Sequence, residues 1–259
     1  MLHLVKSYCK FLWHSKNEHA VHSPFVFNLV TKCFYDPKNY PAYSILKKYR
    51  NSLLHNKNTI EVTDFGAGSR VFKNNTRAIN QIAQTAGIST KRAASLYRLV
   101  RYFKPESILE VGTSLGLATS ALSLGNKNAN VTTLEGCPNT AAIAQNQFEK
   151  FGFKPINSIV TEFSTYFNTS EFKHLTFDFI YFDGNHSQKA TLHYFDCALS
   201  TITNDTVWIF DDIHWSADME EAWELIKSHP KVTVTIDTFQ WGLVFFRKEQ
   251  PKEHFVIRI

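Results

Sequence analysis

The sequence predicts an α/β protein with a mostly parallel sheet of seven strands, a C-terminal antiparallel hairpin and a helical N-terminal extension. After Pro105, short apolar runs alternate with segments of helical periodicity, as a parallel sheet covered by helices on both faces requires. The last two runs, VTVTID and WGLVFFRK, are joined by only a few residues and must therefore pair antiparallel. Before residue 100 the apolar side chains recur mainly at helical spacing.

The predicted strands are apolar runs bounded by turn residues. In chain order they are SILEVG, NVTTLEG, INSIVTE, FDFIYFDG, TVWIFDDI, VTVTID and WGLVFFRK. Segments such as TAAIAQNQFEKFG and SQKATLHYFDCALST have the spacing of the connecting helices. We therefore expect residues 90–259 to form the sheet domain and residues 1–89 to form a basic, mainly helical extension, either a lid over the substrate or a docking segment.

The charge of the chain is unevenly distributed. Residues 1–100 contain 15 Lys and Arg against 4 Asp and Glu, whereas residues 101–259 contain 13 against 19. A basic extension on an acidic domain suits either recruitment of an anionic partner or docking on the neighbouring domain. The basic residues are scattered rather than clustered, which favours docking.

Several classes of protein are disfavoured by composition. No apolar run approaches the length of a membrane span, and Lys6 and Lys10 interrupt the apolar N-terminal stretch where a signal peptide would be uniformly apolar. The cysteines lack the paired spacing of zinc sites or disulfide frameworks and are expected to be free thiols. They are Cys9, Cys33, Cys137 and Cys197. The chain is expected to be cytoplasmic, without a membrane partner.

The strongest signal for a ligand site lies in residues 107–116, SILEVGTSLG. An apolar run ends in an acidic residue, breaks into a glycine-containing turn and continues into a small-residue helix, as a nucleoside pocket requires. Glu135 ends the next run, where a carboxylate usually holds ribose hydroxyls. The rival loop, Asp64 to Ser69 within IEVTDFGAGSR, is followed by a polar, basic segment, and the next strand is over 40 residues away. We interpret it as a surface loop or a lid.

The order of these motifs resembles the Rossmann-like class I S-adenosylmethionine-dependent methyltransferases. Within that superfamily, FDFIYFDGNH and VWIFDDIHW are similar to the metal-dependent small-molecule O-methyltransferases. The resemblance implies that S-adenosylmethionine is bound by the loop after the first strand, by the ends of the second and third strands, and by the end of the fourth. The implied binding residues are Glu110, Gly112, Thr113, Ser114, Gly116, Glu135, Gly136, Glu162, Phe163 and Asp183.

Three aspartates at the ends of the fourth and fifth strands predict a metal site. Asp183, Asp211 and Asp212 would repel one another unless a cation or a proton intervened. Mg²⁺ or Mn²⁺ suits such oxygen ligands better than zinc. The alternative is that Asp211 and Asp212 cap the following helix or bind loop amides.

A base that removes the proton of the acceptor oxygen is the other expected part of the site. His186, three residues after Asp183, is the first candidate. This D-x-x-H arrangement resembles that of the metal ligand and the base in the macrolide sugar O-methyltransferases. His214, three residues after Asp211, is the second. Either ring could instead orient another residue or lie exposed on a loop.

These signals together favour an O-methyltransferase acting on a hydroxyl or carboxyl oxygen of a small molecule. The alternative is an RNA methyltransferase that holds nucleic acid with its basic N-terminal region, although no Asn-Pro-Pro-aromatic motif follows the fourth strand. A non-catalytic cofactor-binding scaffold would not need converging carboxylates, and a dehydrogenase would carry a G-x-G-x-x-G turn. The identity of the acceptor and the formation of a homodimer, common in the resembled families, stay open.

Overall fold

A computed structural model describes residues 2–63, 65, 74–153 and 156–259. The chain divides into two compact units. The terminal unit contains residues 1–35 and 164–259, and the central unit contains residues 36–163. The predicted boundary between residues 89 and 90 therefore falls inside the central unit. Within the described residues, no helix combines the length and the apolar character that crossing a membrane requires.

The helices occupy most of the chain before residue 105 and then alternate with strands. In chain order they are α1 (Leu2–His14), α2 (Pro24–Leu29), α3 (Pro41–Leu54), α4 (Ile79–Thr85), α5 (Thr90–Phe103), α6 (Leu117–Gly125), α7 (Pro138–Phe151), α8 (Phe163–Phe167), α9 (Gln188–Ala198) and α10 (Ala217–Ser228). Side-chain oxygens cap several N-termini, and Ser89, Ser187 and Ser216 each accept a hydrogen bond from the amide three residues later.

The strands are short, and most of those in the main sheet are buried. In chain order they are β1 (Thr59–Glu61), β2 (Thr76–Ala78), β3 (Ser107–Val111), β4 (Asn130–Glu135), β5 (Ile156–Val160), β6 (Phe179–Phe182), β7 (Val207–Asp211), β8 (Val234–Asp237), β9 (Trp241–Phe245) and β10 (Glu253–Val256). β1 and β2 form a separate antiparallel pair, and the main sheet has eight strands. The predicted mostly parallel α/β sheet is confirmed, but the predicted number of seven strands is wrong.

In the central unit, β3, β4 and β5 lie side by side in that order and run parallel. In the terminal unit the order is β10, β8, β9, β7 and β6. β9 runs antiparallel to both β7 and β8, so the predicted C-terminal hairpin is confirmed. β10 adds to β8 in parallel and is the strand that the sequence did not predict.

The outer side of β10 is covered by the N-terminal segment. Lys16 bridges to Ile257, with its amide donating to the Val256 carbonyl at 2.8 Å. An uncovered strand edge offers unpaired backbone groups to other chains, so this bridge protects the sheet.

Aromatic side chains fix the pairing of β6 and β7, whose ends carry predicted site residues. Phe182 lies opposite Phe210 in the register, and their rings stack with centroids 4.4 Å apart. Trp208 packs edge-on against Phe182 at 5.7 Å. Both strands are buried along their whole length, which explains why they read as continuous apolar runs. Asp183 and Asp211 are therefore carried on a rigid strand pair.

Replacing Gly242 in β9 with alanine should destabilise the fold. A Cβ at this position would lie 2.6 Å from Cζ3 of the buried Trp223, so the indole would have to move. Overpacking of this kind costs about 1–3 kcal/mol. Urea denaturation measures the cost, and in a Trp223→Phe background the cost of Gly242→Ala should become smaller because the clashing ring atoms are gone. An equal cost in both backgrounds would contradict this packing.

Candidate active site

The predicted site residues fall in both units. In the central unit, the carboxylate of Glu135 at the end of β4 is held by two main-chain amides. Ser114 N donates to its Oε2 at 2.8 Å, and Cys137 N donates to its Oε1 at 2.9 Å. The residue is half-buried. A carboxylate has about four lone-pair sites, so a carboxylate that accepts from main-chain amides can also accept hydrogen bonds from neighbouring hydroxyl groups.

The loop after β3 takes left-handed backbone conformations. Gly112 has φ 106° and Gly116 has φ 75°, a region that glycine enters without steric cost. Ser114, which stands where related loops often have glycine, also has a positive φ of 47°. The Ser114 amide donates to the Glu135 carboxylate, so a charge-assisted hydrogen bond stabilises this backbone conformation of Ser114. Gly112 N and Thr113 N both donate to the carbonyl of Leu134 at 3.0 Å, which anchors the loop on β4.

Gly116 is closely packed by protein side chains. A Cβ there would lie 2.4 Å from Cε1 of Phe148 and 2.5 Å from the hydroxyl of Tyr49. That hydroxyl donates to the Leu115 carbonyl at 2.9 Å. These contacts support the loop after β3 and leave no room for a side chain at residue 116.

Glu110 is fully buried at the end of β3. Its Oε2 accepts hydrogen bonds from the hydroxyls of Thr119 and Thr133, each at 2.5 Å. Its Oε1 is buried without a hydrogen-bond partner among the described residues. Burial raises the pKa of Glu110 to about 8, although the two hydroxyl groups lower it and the charge of Glu135 adds to the rise. An orphaned buried oxygen of this kind is costly unless a ligand or a proton satisfies it.

The remaining predicted cofactor residues of the central unit differ in their settings. Thr113 is buried, and its hydroxyl lies 2.5 Å from that of Thr133. A Cβ on Gly136 would lie 2.6 Å from the ring of Phe65. Glu162 is exposed, and Phe163 begins α8 half-buried. Apart from Phe65, the rival loop of Asp64 to Ser69 lies outside the described residues.

In the terminal unit, Asp211 is a buried carboxylate with fixed partners. The hydroxyl of Tyr181 on β6 donates to its Oδ2 at 2.9 Å, and the amide of Asp212 donates to its Oδ1 at 2.8 Å. Asp212 has a positive φ of 53° and is half-buried. Asp183 follows β6 and lies near His186, with 3.6 Å between Oδ1 and Nε2. The structure thus brings Asp183 and His186 together, as predicted.

The three predicted metal ligands do not form a metal centre among the residues that the structure describes. In this part of the chain, no three or more His, Cys, Asp or Glu side chains are grouped so that they could hold an ion. Asp211 instead follows the alternative that the sequence left open, because its oxygens bind a loop amide and a hydroxyl. The divalent ion therefore stays a prediction.

His214 lies between two carboxylates. Its Nδ1 lies 2.7 Å from Oε1 of Glu220, and its Nε2 lies 2.9 Å from Oδ2 of Asp237. Its ring also stacks on Phe239, with centroids 5.2 Å apart. Burial disfavours the charged ring, but the hydrogen bonds and charges of Asp237 and Glu220 outweigh burial and raise the pKa of His214. With both nitrogens donating to carboxylates, the ring has no lone pair to offer a substrate, so the geometry favours His186 as the base.

Sequence reasoning missed the residues that orient the predicted ones. Tyr181 holds Asp211, Thr119 and Thr133 hold Glu110, and the Cys137 amide holds Glu135. Tyr181 leaves a weak signal, because its hydroxyl lies in the otherwise apolar, buried run FIYF, whereas Thr119 and Thr133 stand beside other polar residues. A backbone amide leaves none.

Glu110→Gln should remove a pH dependence from the stability of the protein. The folded pKa of about 8 lies above the ordinary value of 4.5, so the folded state retains a proton that the unfolded chain releases. Stability should therefore fall as pH rises from 4.5 to 8, by up to about 1.4 kcal/mol per pH unit, and should not fall further above that range. Urea denaturation across this range measures the slope.

The glutamine variant should lack this part of the slope, whereas Glu162→Gln, a change at an exposed carboxylate, should keep it. Parallel pH profiles for the wild type and Glu110→Gln would contradict the assignment.

The chain was compared with known proteins at the level of sequence families and of solved structures. Residues 109–213 match a family model described as a methyltransferase domain. No curated protein matches the sequence.

Three solved structures are similar to most of the chain at low sequence identity. The Podospora anserina methyltransferase PaMTH1, bound to S-adenosylhomocysteine, is 15% identical with a TM-score of 0.59, covering 88% of this chain and 97% of its own. The Bacillus cereus O-methyltransferase in complex with S-adenosylhomocysteine is 18% identical with a TM-score of 0.56, covering 84% and 97%. The O-methyltransferase TomG of Streptomyces achromogenes, in complex with S-adenosylmethionine, is 14% identical with a TM-score of 0.56, covering 84% and 96%.

These likenesses extend over most of the chain and concern its fold, whereas the family match covers the segment from β3 to the residues after β7. That segment contains Glu110, Glu135, Asp183 and Asp211. Together, the two findings confirm the predicted fold, and the match of residues 109–213 to a methyltransferase domain agrees with the predicted enzyme class.

Proposed function

We propose that the protein transfers a methyl group from S-adenosylmethionine to a hydroxyl or carboxyl oxygen of a small molecule. The observation that carries this proposal is the carboxylate of Glu135, fixed by two main-chain amides at the carboxyl end of β4. A carboxylate at that place in an α/β sheet suits the two ribose hydroxyls of a nucleoside. The similar structures from B. cereus and S. achromogenes, described as O-methyltransferases bound to the product or the cofactor, support the same reading.

The residues of the central unit fit S-adenosylmethionine in charge and in hydrogen-bonding capacity. The cofactor would supply an electrophilic methyl group on a positively charged sulfur. Glu135 would bind the ribose hydroxyls, and the unpartnered Oε1 of Glu110 would form a hydrogen bond with the polar end of the methionine part. The left-handed loop from Gly112 to Gly116 presents main-chain groups without bulky side chains between them.

His186 is the proposed base, supported by the carboxylate of Asp183. A neutral imidazole can accept the proton of an acceptor hydroxyl, and an adjacent carboxylate stabilises the imidazolium that results. The distance of 3.6 Å between Asp183 Oδ1 and His186 Nε2 allows this pairing. His214 is the weaker choice, because both of its nitrogens already bind carboxylates. Asp183 is also the predicted cofactor contact of the terminal unit.

Glu135→Gln should weaken the binding of S-adenosylhomocysteine about 10-fold to 100-fold, because the amide cannot accept hydrogen bonds at both positions. Isothermal titration calorimetry measures the change. Glu149→Gln, on the exposed part of α7, removes the same charge and should leave the affinity unchanged. Equal affinities for the wild type and Glu135→Gln would remove the main support for the proposal.

His186→Gln should lower kcat by roughly 10²-fold to 10⁴-fold, the usual contribution of a positioned base. The affinity for S-adenosylhomocysteine should stay within about twofold, since the change affects only proton removal. Methyl transfer to a panel of hydroxylated and carboxylated acceptors gives the rates, with the exposed His174→Gln as control. A His186→Gln enzyme with wild-type kcat would exclude this base.

The divalent ion stays a prediction, and no step is assigned to it because the described residues do not form a metal centre. If the protein uses Mg²⁺ or Mn²⁺, a chelator should abolish turnover, and adding either ion should restore it. In the Asp183→Ala and Asp212→Ala variants, adding the ion should not restore turnover. Unchanged turnover of the wild type in the presence of the chelator would exclude the metal and leave the rest of the proposal intact.

A further inference from the structure

The two units carry opposite net charge. The central unit contains 16 Lys and Arg against 8 Asp and Glu, a net charge of +8. The terminal unit contains 12 against 15, a net charge of −3. The opposite net charges of the two units have no role in the proposed methyl transfer to a small molecule. A net positive charge concentrated in one compact unit attracts anionic partners over long distances.

Much of the positive charge of the central unit lies on the antiparallel helices α3 and α5. At one end Arg98 donates to the hydroxyl of Tyr43 at 3.1 Å, and at the other Arg50 donates to the carbonyl of Ile88 at 2.6 Å. Neither helix contains an acidic residue. On α5, Lys91, Arg98 and Arg101 recur at intervals of seven and three residues, which places them along one side of the helix.

Lys47 extends this charged surface onto α3, one turn after Tyr43 and on the same side of that helix. We call the set of Lys47, Lys91, Arg98 and Arg101 the basic face. Lys47, Lys91 and Arg101 are exposed and form no ion pair with a carboxylate in the described ranges of the chain. By contrast, Lys227 and Arg247 of the terminal unit are both paired with acidic residues. Unpaired cations in a row repel one another and are stabilised by an anionic partner.

Aromatic rings lie among these cations. The guanidinium of Arg101 lies over the ring of Tyr40, 5.0 Å from its centroid. Tyr40 and Tyr43 pack edge-on at 5.6 Å, and both remain half-buried rather than enclosed. The one carboxylate at this point, Asp36, accepts a hydrogen bond from the Tyr40 hydroxyl at 2.5 Å. Partly exposed tyrosines beside arginines offer flat surfaces on which bases can stack.

We propose that the basic face is a docking surface for single-stranded RNA. The cations would contact the phosphates, and the Tyr40 and Tyr43 rings would stack with unpaired bases. Lys91 and Arg98 are about 10 Å apart along the helix axis, so one short strand can contact both. An acidic protein or an anionic membrane would satisfy the charges but would make no use of the rings, so the tyrosines favour nucleic acid.

The test measures binding of a short fluorescein-labelled oligouridylate to the full chain by fluorescence anisotropy over a series of KCl concentrations. Lys47→Gln, Lys91→Gln and Arg101→Gln together should weaken binding at least about tenfold and reduce the salt slope by about 2, since each lost phosphate contact removes about 0.7 for a single strand. The matched control combines Lys189→Gln, Lys231→Gln and Lys248→Gln, exposed lysines of the terminal unit. It should bind like the wild type.

The role of the rings is tested separately. Tyr40→Leu should weaken RNA binding about fivefold or more, whereas Tyr40→Phe, which keeps the ring, should bind as the wild type does. Thermal unfolding of each variant checks that the fold is intact. The proposal is overturned if the control triple weakens binding as much as the basic-face triple. It is also overturned if polyglutamate or phosphatidylglycerol vesicles bind the basic face as tightly as RNA and Tyr40→Leu has no effect.

Discussion

The hydrogen bonds that Glu135 accepts from Ser114 N and Cys137 N hold together the two loops on which the candidate cofactor site depends. One amide belongs to the turn after β3 and the other to the turn after β4, so a single carboxylate sets the positions of both. The cost of the left-handed Ser114 backbone is offset by this charge-assisted contact. Below it, Glu110, Thr119 and Thr133 form a buried polar cluster with one oxygen left over. The site therefore combines a carboxylate held in place with a buried oxygen that has no partner among the described residues, which suits a polar ligand.

Much of the fold could be predicted because each buried strand of a parallel sheet is an uninterrupted apolar run between helix-like segments. The seven runs from SILEVG to WGLVFFRK each contain a strand, and the short connection before Trp241 forced the antiparallel hairpin. β10 was missed because only part of EHFV is buried, so it does not read as an apolar run. The Lys16 bridge was missed because its partner, Ile257, lies near the other end of the chain. Periodicity carries no information about such long-range edge contacts.

The site was predictable to the extent that its chemistry lies at strand ends. Glu110, Glu135, Asp183 and Asp211 each end or directly follow a strand, as the sequence indicated. Their partners were not predictable, since Tyr181 and Asp211 are 30 residues apart and His214 and Asp237 are 23 apart. These partners change the chemistry, because Tyr181 binds one oxygen of Asp211 and Asp237 binds one nitrogen of His214. The uneven charge was visible along the sequence, but its division between a central and a terminal unit depends on the fold.

The proposed function depends on Glu135 as the residue that recognises the nucleoside. A crystal structure of the protein with S-adenosylhomocysteine tests this most directly, because it locates the ribose without any assumption about the acceptor or a metal. The account predicts both ribose hydroxyls within hydrogen-bonding distance of the Glu135 carboxylate, with the methionine part near Glu110. A nucleoside bound instead by the loop from Asp64 to Ser69, with Glu135 contacting only its own loop amides, would contradict it.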